Sequence, residues 1–276
     1  MTPMIIARQG RVDEALDADR IRAALGAAGS RFNIIVRERC ISTNSELRSL
    51  AEAGAAHGSV LVCEEQSGGR GRRGRPWRSV RGGSLTFSLL WRFPEVAAAP
   101  VGLSLAIGVA IARALGDLGV PGLRLKWPND VLRSGRKLAG ILVELASGAR
   151  AAPFAVIGVG MNLALPRDFD PTGALDATDI AAALARPPSR NRLLADLLKN
   201  LGADLDRFSS EGFAAFRSDW LARAAWMGER VRLSSEFAEP FEGRLVGIDP
   251  DGAALVLGDD GLRRIASGEL SLRKLL

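Results

Sequence analysis

Between Gly69 and Trp77 the chain reads Gly-Arg-Gly-Arg-Arg-Gly-Arg-Pro-Trp, and six arginines fall between positions 70 and 81. Guanidinium groups pair with phosphate or carboxylate oxygens in forked geometry, and glycines let a backbone approach a ligand closely. The chemistry on offer is the gripping of an anion by a loop. The stretch satisfies Gly-x-Gly-x-x-Gly, but a dinucleotide site needs a helix opening within that motif, so that pyrophosphate meets its N-terminus. Pro76, Trp77 and then Arg81-Gly82-Gly83 follow instead, and these cannot open a helix. No Gly-Lys-Ser/Thr closes the loop, so a Walker A site is excluded too. Repulsion among the charges predicts a loop that is mobile until an anion arrives. On charge alone, a solvated basic loop or a nonspecific RNA grip explains it equally well.

Three other segments bear on that choice. Ser42-Thr43-Asn44 sets three small hydrogen-bonding side chains at a helix start, although Thr43 with Glu46 also reads as a capping box. Lys126-Trp127-Pro128-Asn129-Asp130 puts a cation, an aromatic plate, a rigid turn and a carboxylate within five positions. In isolation it is a strand end with a turn. In Arg136–Leu142, Lys137 opens an apolar strand, from which its ammonium can reach a cleft or merely water.

The elements that carry these residues follow from periodicity and composition. The chain has 276 residues, 47% hydrophobic and 25% charged, which suits a folded protein of one large domain with a small companion. Short strands are expected at Phe32–Val36, Gly58–Glu64, Ser84–Trp91, Gly122–Lys126, Lys137–Leu145 and Phe154–Asn162, with Ser84–Trp91 alternating as if buried on one face. Helices are expected from Ser42 to near Gly54, over Leu103–Leu118, and twice between Arg190 and Trp226. This order predicts an α+β fold with a mixed sheet. Residues 1–30 form a short extension with one or two helices, and 31–227 the main domain. Five short strands within 228–276, divided by Asp249–Gly252 and Gly258–Gly261, predict a small SH3-like barrel.

A single histidine, His57, excludes a multi-histidine metal centre, and two cysteines, Cys40 and Cys63, exclude a disulfide scaffold or a cysteine zinc site. The net charge of +6 makes an anionic partner plausible. No signal peptide or membrane span is read, and a cytoplasmic location is expected.

In this order, STN, GRGRRGRPW, KWPND, GRKLAGILVE and GVGMN resemble the biotin–protein ligases, from about residue 31 to GELSLR near the end. The resemblance implies a catalytic domain of the class II aminoacyl-tRNA synthetase/biotin synthetase-like type. It also implies two steps: biotin and ATP, carried with Mg²⁺, give biotinyl-5′-adenylate and pyrophosphate, and biotin then passes to one lysine of the biotin carboxyl carrier protein of acetyl-CoA carboxylase. By that resemblance Ser42, Thr43, Asn44, Gln66, Arg70, Gly71, Arg72, Arg75 and Lys137 contact biotin or the adenylate. Gly140 gives close approach to the apolar body, while Trp77, Asn129 and Asn162 lie near the adenylate or its adenine. Lys137 and Arg72 neutralise charge, Asp130 acts as base or orienting group for the acceptor lysine, and Arg273 reaches the triphosphate.

Only 41 residues precede Ser42, too few for the winged helix of dual-function relatives, so a ligase without operator binding is expected, as monomer or homodimer. A lipoate or octanoyl ligase is the second enzyme reading, against which the KWPND and GRGRRG segments argue. A nucleic-acid-binding module is the third. It would favour aromatics among the charges, yet the loop holds only Trp77 and the chain has no tyrosine.

Overall fold

The computed structural model describes residues 14–93, 101–148, 151–171, 176–234, 239–266 and 271–275. Seven strands form the first sheet: β1 (Asn33–Cys40), β2 (Ser59–Gln66), β3 (Ser84–Arg92), β4 (Leu123–Lys126), β5 (Asp130–Arg133), β6 (Arg136–Gly148) and β7 (Ala151–Asn162). Their order is β1-β2-β3-β7-β6-β5-β4, with β1 and β2 parallel and all other neighbours antiparallel. The helices are α1 (Ala18–Leu25), α2 (Thr43–Glu52), α3 (Leu103–Asp117), α4 (Arg190–Glu211) and α5 (Arg217–Ala222).

Alternation along the strands sorts side chains between the two faces of this sheet. Val60, Val62, Phe87, Leu89, Ile157 and Val159 join the large core built with α1, α3 and α4. Leu61, Cys63, Leu90 and Val156 pack instead with Leu47 and Ala51 of α2. Beyond the end of α2 the same face becomes polar or bare, with Ser88, Gly158, Gly160, Gly140 and Asp130 alternating against core positions. That change of character opens the site.

The second sheet comprises β8 (Arg230–Ser234), β9 (Phe241–Ile248), β10 (Ala254–Gly258), β11 (Gly261–Ile265) and β12 (Ser271–Lys274), antiparallel in the order β11-β10-β9-β8-β12. Among the described residues no ladder joins β11 to β12. The segment after α5 and a turn of the second sheet both contact the first sheet. Arg223–Ala225 run beside β4, with Leu125 N–H on Arg223 O at 2.7 Å and Ala225 N–H on Leu125 O at 2.8 Å. The buried Trp127 donates its indole N–H to Gly252 O at 3.1 Å, in the turn between β9 and β10.

The structure departs from expectation at two places. β3 is buried on both faces, because α2 covers one side and α3 with α4 the other. β5 occupies the region read as a turn after Pro128; Lys126 and Asp130 are partners across a tight antiparallel turn. In the N-terminal extension the expected helices are present, as α1 and the 3₁₀ turn Gly26–Arg31; residues 1–13 lie outside the described residues, as do 268–270 of the GELSLR segment.

Candidate active site

Ser42 caps α2 through its backbone, accepting the Glu46 N–H at 3.0 Å. The capping box is therefore not formed. Glu46 pairs with Arg37 at 2.7 Å, and the Thr43 hydroxyl turns inward to Gln66 Oε1 at 3.2 Å. Gln66 Oε1 also accepts the Thr43 N–H at 2.7 Å. The Ser88 hydroxyl lies 2.8 Å from the Thr43 hydroxyl and 2.6 Å from Asn44 Oδ1. The Asn44 amide donates to Glu144 Oε2 at 2.7 Å, and Arg70 reaches the other oxygen of Glu144 at 3.0 Å. Ser42, Thr43 and Asn44 are each buried. A fixed polar network of this kind orients a polar ring, because a mismatched ligand leaves its groups unpaired.

The arginine loop closes on itself. Gly71 N–H meets Arg75 O at 2.7 Å and Trp77 N–H meets Gly69 O at 2.8 Å, around a 3₁₀ turn at Arg72–Gly74. Arg73 takes a left-handed conformation there, with φ of 59°. The turn projects Arg72 toward Asn129, whose Oδ1 is 3.5 Å from its guanidinium. Trp77 lies on bare strand: a β-carbon at Gly160 would come within 2.4 Å of its ring. Its indole N–H is buried without a hydrogen-bond partner among the described residues. The Lys137 ammonium sits 5.8 Å from the centre of the same ring, within cation–π range.

At the other end of the cavity Asp130 is 8% exposed and flanked by two lysines. Lys137 Nζ is 2.7 Å from Oδ1 and Lys126 Nζ 3.1 Å from Oδ2. Burial pushes the Asp130 carboxyl up, but the Lys137 and Lys126 ammoniums outweigh it and hold it down at about 2. Burial lowers Lys126, and Asp130 opposes that shift. Asn129 donates to Ile141 O at 2.8 Å and so fixes the turn before Asp130. Asn162 is committed to Thr178 O at 3.1 Å and Lys137 O at 3.4 Å, which ties the Lys137 backbone to the 176–178 segment.

One cavity of about 470 Å³ gathers every residue that the sequence singled out, including Arg273 from β12. Gly140 lines it as expected, but the atom filling the space beside it is the Lys137 ammonium, 3.1 Å from where a β-carbon would stand. Sequence reasoning missed Lys126, Ser88, Glu144, Gly158 and Trp226. Lys126, Glu144 and Gly158 lay inside quoted motifs, and Gly158 and Gly160 alternating with Val159 and Met161 was a readable signal of one bare strand face. Ser88, Glu144 and Trp226 reach the site only through strand register and chain packing.

Residues 37–162 match the Biotin/lipoate A/B protein ligase family and residues 227–273 the Biotin protein ligase C terminal domain. The biotin–[acetyl-CoA-carboxylase] ligase of Mycobacterium tuberculosis is 36% identical over 249 residues, covering 88% of this chain and 90% of that protein. The chain belongs to the biotin protein ligase family. It is an ATP-dependent biotin–protein ligase. The bifunctional ligase/repressor BirA of Salmonella typhimurium is 39% identical over 270 residues, covering 94% of this ligase and 79% of its own length. Among solved structures, the Aquifex aeolicus biotin protein ligase in complex with biotin and ATP superposes with a TM-score of 0.76 at 31% identity, covering 88% of this chain and 99% of that one.

Proposed function

We propose that this ligase makes biotinyl-5′-adenylate in the described cavity and passes the biotinyl group to one lysine of a biotin carboxyl carrier protein. The observation that carries this reading is the polarity of the cavity. One end holds the neutral network of Ser42, Thr43, Asn44 and Gln66; the other holds Lys137, Arg72 and Arg75. Biotin has the matching polarity, a ureido ring at one end and a carboxylate at the other. Leu142, Gly158 and Gly160 line the path proposed for its apolar body.

In the first step the biotin carboxylate attacks the α-phosphate of ATP and displaces pyrophosphate, so two anions must meet. Lys137 and Arg72 are the cations that offset this repulsion, and preorganised charge is the largest catalytic contribution in such transfers. Trp77 is proposed to meet the nucleotide with its unpartnered indole N–H, and Arg273 the triphosphate from β12. Asn129 and Asn162 shape this wall by holding Ile141 and Lys137 in place. In the second step the acceptor lysine must arrive deprotonated. A carboxylate held at about 2 is a weak proton acceptor, so Asp130 is assigned the orienting role rather than that of base.

Mg²⁺ is not assigned protein ligands. Among the described residues no three His, Cys, Asp or Glu side chains come together, and Asp130, the carboxylate lining the cavity, has a lysine at each oxygen. These donors do not fit a protein-held cation, and Mg²⁺ is proposed to enter chelated by the triphosphate. The arginine loop lines the cavity rather than an open groove, which supports a small anionic ligand over operator DNA. Among the described residues no helix is long and apolar enough to cross a membrane. Two free, buried cysteines and use of ATP support a cytoplasmic location. The five C-terminal strands are proposed to curl as an SH3-like barrel.

The test is biotin-dependent exchange of labelled pyrophosphate into ATP, followed by transfer to a purified carrier domain. Exchange supported by lipoate and not by biotin, or no exchange from folded protein, overturns the reading. A mobility-shift assay with duplex DNA checks the expected lack of operator binding.

A further inference from the structure

Two ammoniums share one buried carboxylate here, and they are not equivalent. Lys137 is 29% exposed at its side chain and faces the Trp77 ring across the cavity. Gly140, with no side chain, makes the room that the Lys137 ammonium occupies. Lys126 is 12% exposed and held on both sides. Its ammonium lies 3.1 Å from Asp130 Oδ2 and 5.6 Å from the centre of the Trp226 ring. Trp226 is itself fixed, because the preceding Ala225 N–H is bonded to Leu125 O beside β4.

This asymmetry has a consequence for catalysis. To meet an anion in the cavity, the Lys137 ammonium must loosen its contact with Asp130 Oδ1. A buried carboxylate stripped of its only counter-ion is strongly disfavoured. With Lys126 remaining on Oδ2, Asp130 stays paired throughout the exchange. We infer that Lys126, seated against Trp226, is a positioning residue that keeps Asp130 neutralised while Lys137 transfers its charge to the nucleotide. The inference rests on the assignment of Lys137 as the cation that meets the reacting phosphate. It assigns Lys126 no contact with substrate, and so separates it from the arginine loop.

A double-mutant cycle on biotin-dependent pyrophosphate exchange tests it, using Lys126→Met and Lys126→Arg, each alone and with Asp130→Asn. In the native background Lys126→Met is expected to lower kcat about 30-fold or more while the KM for biotin moves less than about threefold. Lys126→Arg keeps the charge and is expected to retain kcat within about threefold. With Asp130→Asn there is no anion left to strand, so adding Lys126→Met is expected to change kcat by less than about threefold. An equal fall in both backgrounds, a fall confined to the KM for biotin, or no fall at all overturns the inference. If Lys126→Met alone does not fold, the pair carrying Asp130→Asn still decides. A large fall there overturns the inference, and near-equality supports it. Absence of exchange in the unsubstituted enzyme is a different failure and falls on the proposed function.

Discussion

Asn44 and Gly158 meet across the junction of α2 and β7 with no room for a side chain between them. A β-carbon on Gly158 would stand 2.2 Å from Asn44 Oδ1. Asn44 is the hub that links the Ser88 hydroxyl to Glu144, so moving it disturbs the polar end of the cavity. Gly158→Ala is therefore expected to weaken biotin binding by about tenfold or more, with about 1–3 kcal/mol of destabilisation from overpacking. Calorimetric titration with biotin and a thermal melt measure both; unaltered affinity in the variant would refute the role given to Asn44.

Much of this site was legible before any coordinates. The motifs STN, GRGRRGRPW and KWPND each placed a residue on the cavity wall, because each combines turn chemistry with functional side chains in a short span. What stayed hidden was set at long range. Glu144 is 100 positions from Asn44, and only the pairing of β6 with β7 brings it under α2. The Thr43–Glu46 pattern was misread for a related reason. A capping box is a local signal, whereas the Thr43 side chain is drawn inward by Gln66 and Ser88 from neighbouring strands. β5 was missed because Trp127-Pro128-Asn129 is a turn, and only the ladders with β4 and β6 show that a strand follows immediately.

Charge neutralisation predicts the behaviour of Lys137 and Arg72. Lys137→Ala or Arg72→Ala is expected to slow pyrophosphate exchange by about 100-fold or more, with stability changed by less than about 1 kcal/mol for Arg72→Ala. Lys137→Ala removes one of two partners of a buried carboxylate and is expected to destabilise more than Arg72→Ala does. Exchange kinetics beside chemical denaturation checks both rates and ranking; full activity in either variant contradicts its role.

The Asp130 carboxyl is lowered from 3.8 to about 2 by its lysines. A depressed carboxyl contributes stability above its unfolded value, and that contribution is lost as pH falls through the folded value. The relevant window thus runs from near 3.8 down to about 2. Across about pH 5 to about pH 8 the group stays ionised, so no change in kcat there is expected to trace to Asp130. Profiles for the enzyme and for Asp130→Asn should be parallel over that range, though offset in height. A limb present only in the unsubstituted enzyme would return Asp130 to the role of base.

Glu64 on β2 and Arg190 at the start of α4 form a buried pair at 2.6 Å, and both also hold the segment leading into α1. Burial raises the Glu64 carboxyl, but the Arg190 hydrogen bond and the Leu16 N–H bring it below its ordinary value. Its contribution is accordingly present at neutral pH and fades below about pH 4.5. Arg190→Met strands the carboxylate and is expected to destabilise by about 3–5 kcal/mol, whereas Glu64→Gln with Arg190→Met is expected to be milder. Urea melts of the two variants at neutral pH decide this. Equal losses would show that packing, not charge, holds the joint.

The arginine loop offers a test that separates a clamp from a fixed rim. In the free enzyme the amides of Gly71 and Trp77 are already bonded, to Arg75 O and Gly69 O. These two should exchange slowly even without ligand. Repulsion among Arg70, Arg72, Arg73 and Arg75 opposes closure, and Glu144 offsets it at Arg70, 3.0 Å away. An anion in the cavity adds countercharge, so biotin with ATP should slow exchange across 69–81 as a unit. Glu144→Gln removes the charge that holds Arg70 and should make the free loop exchange faster around it, while the liganded loop remains protected. If protection is the same with and without ligand, the loop is a preformed wall, and the arginines act as fixed charges rather than as a closing flap.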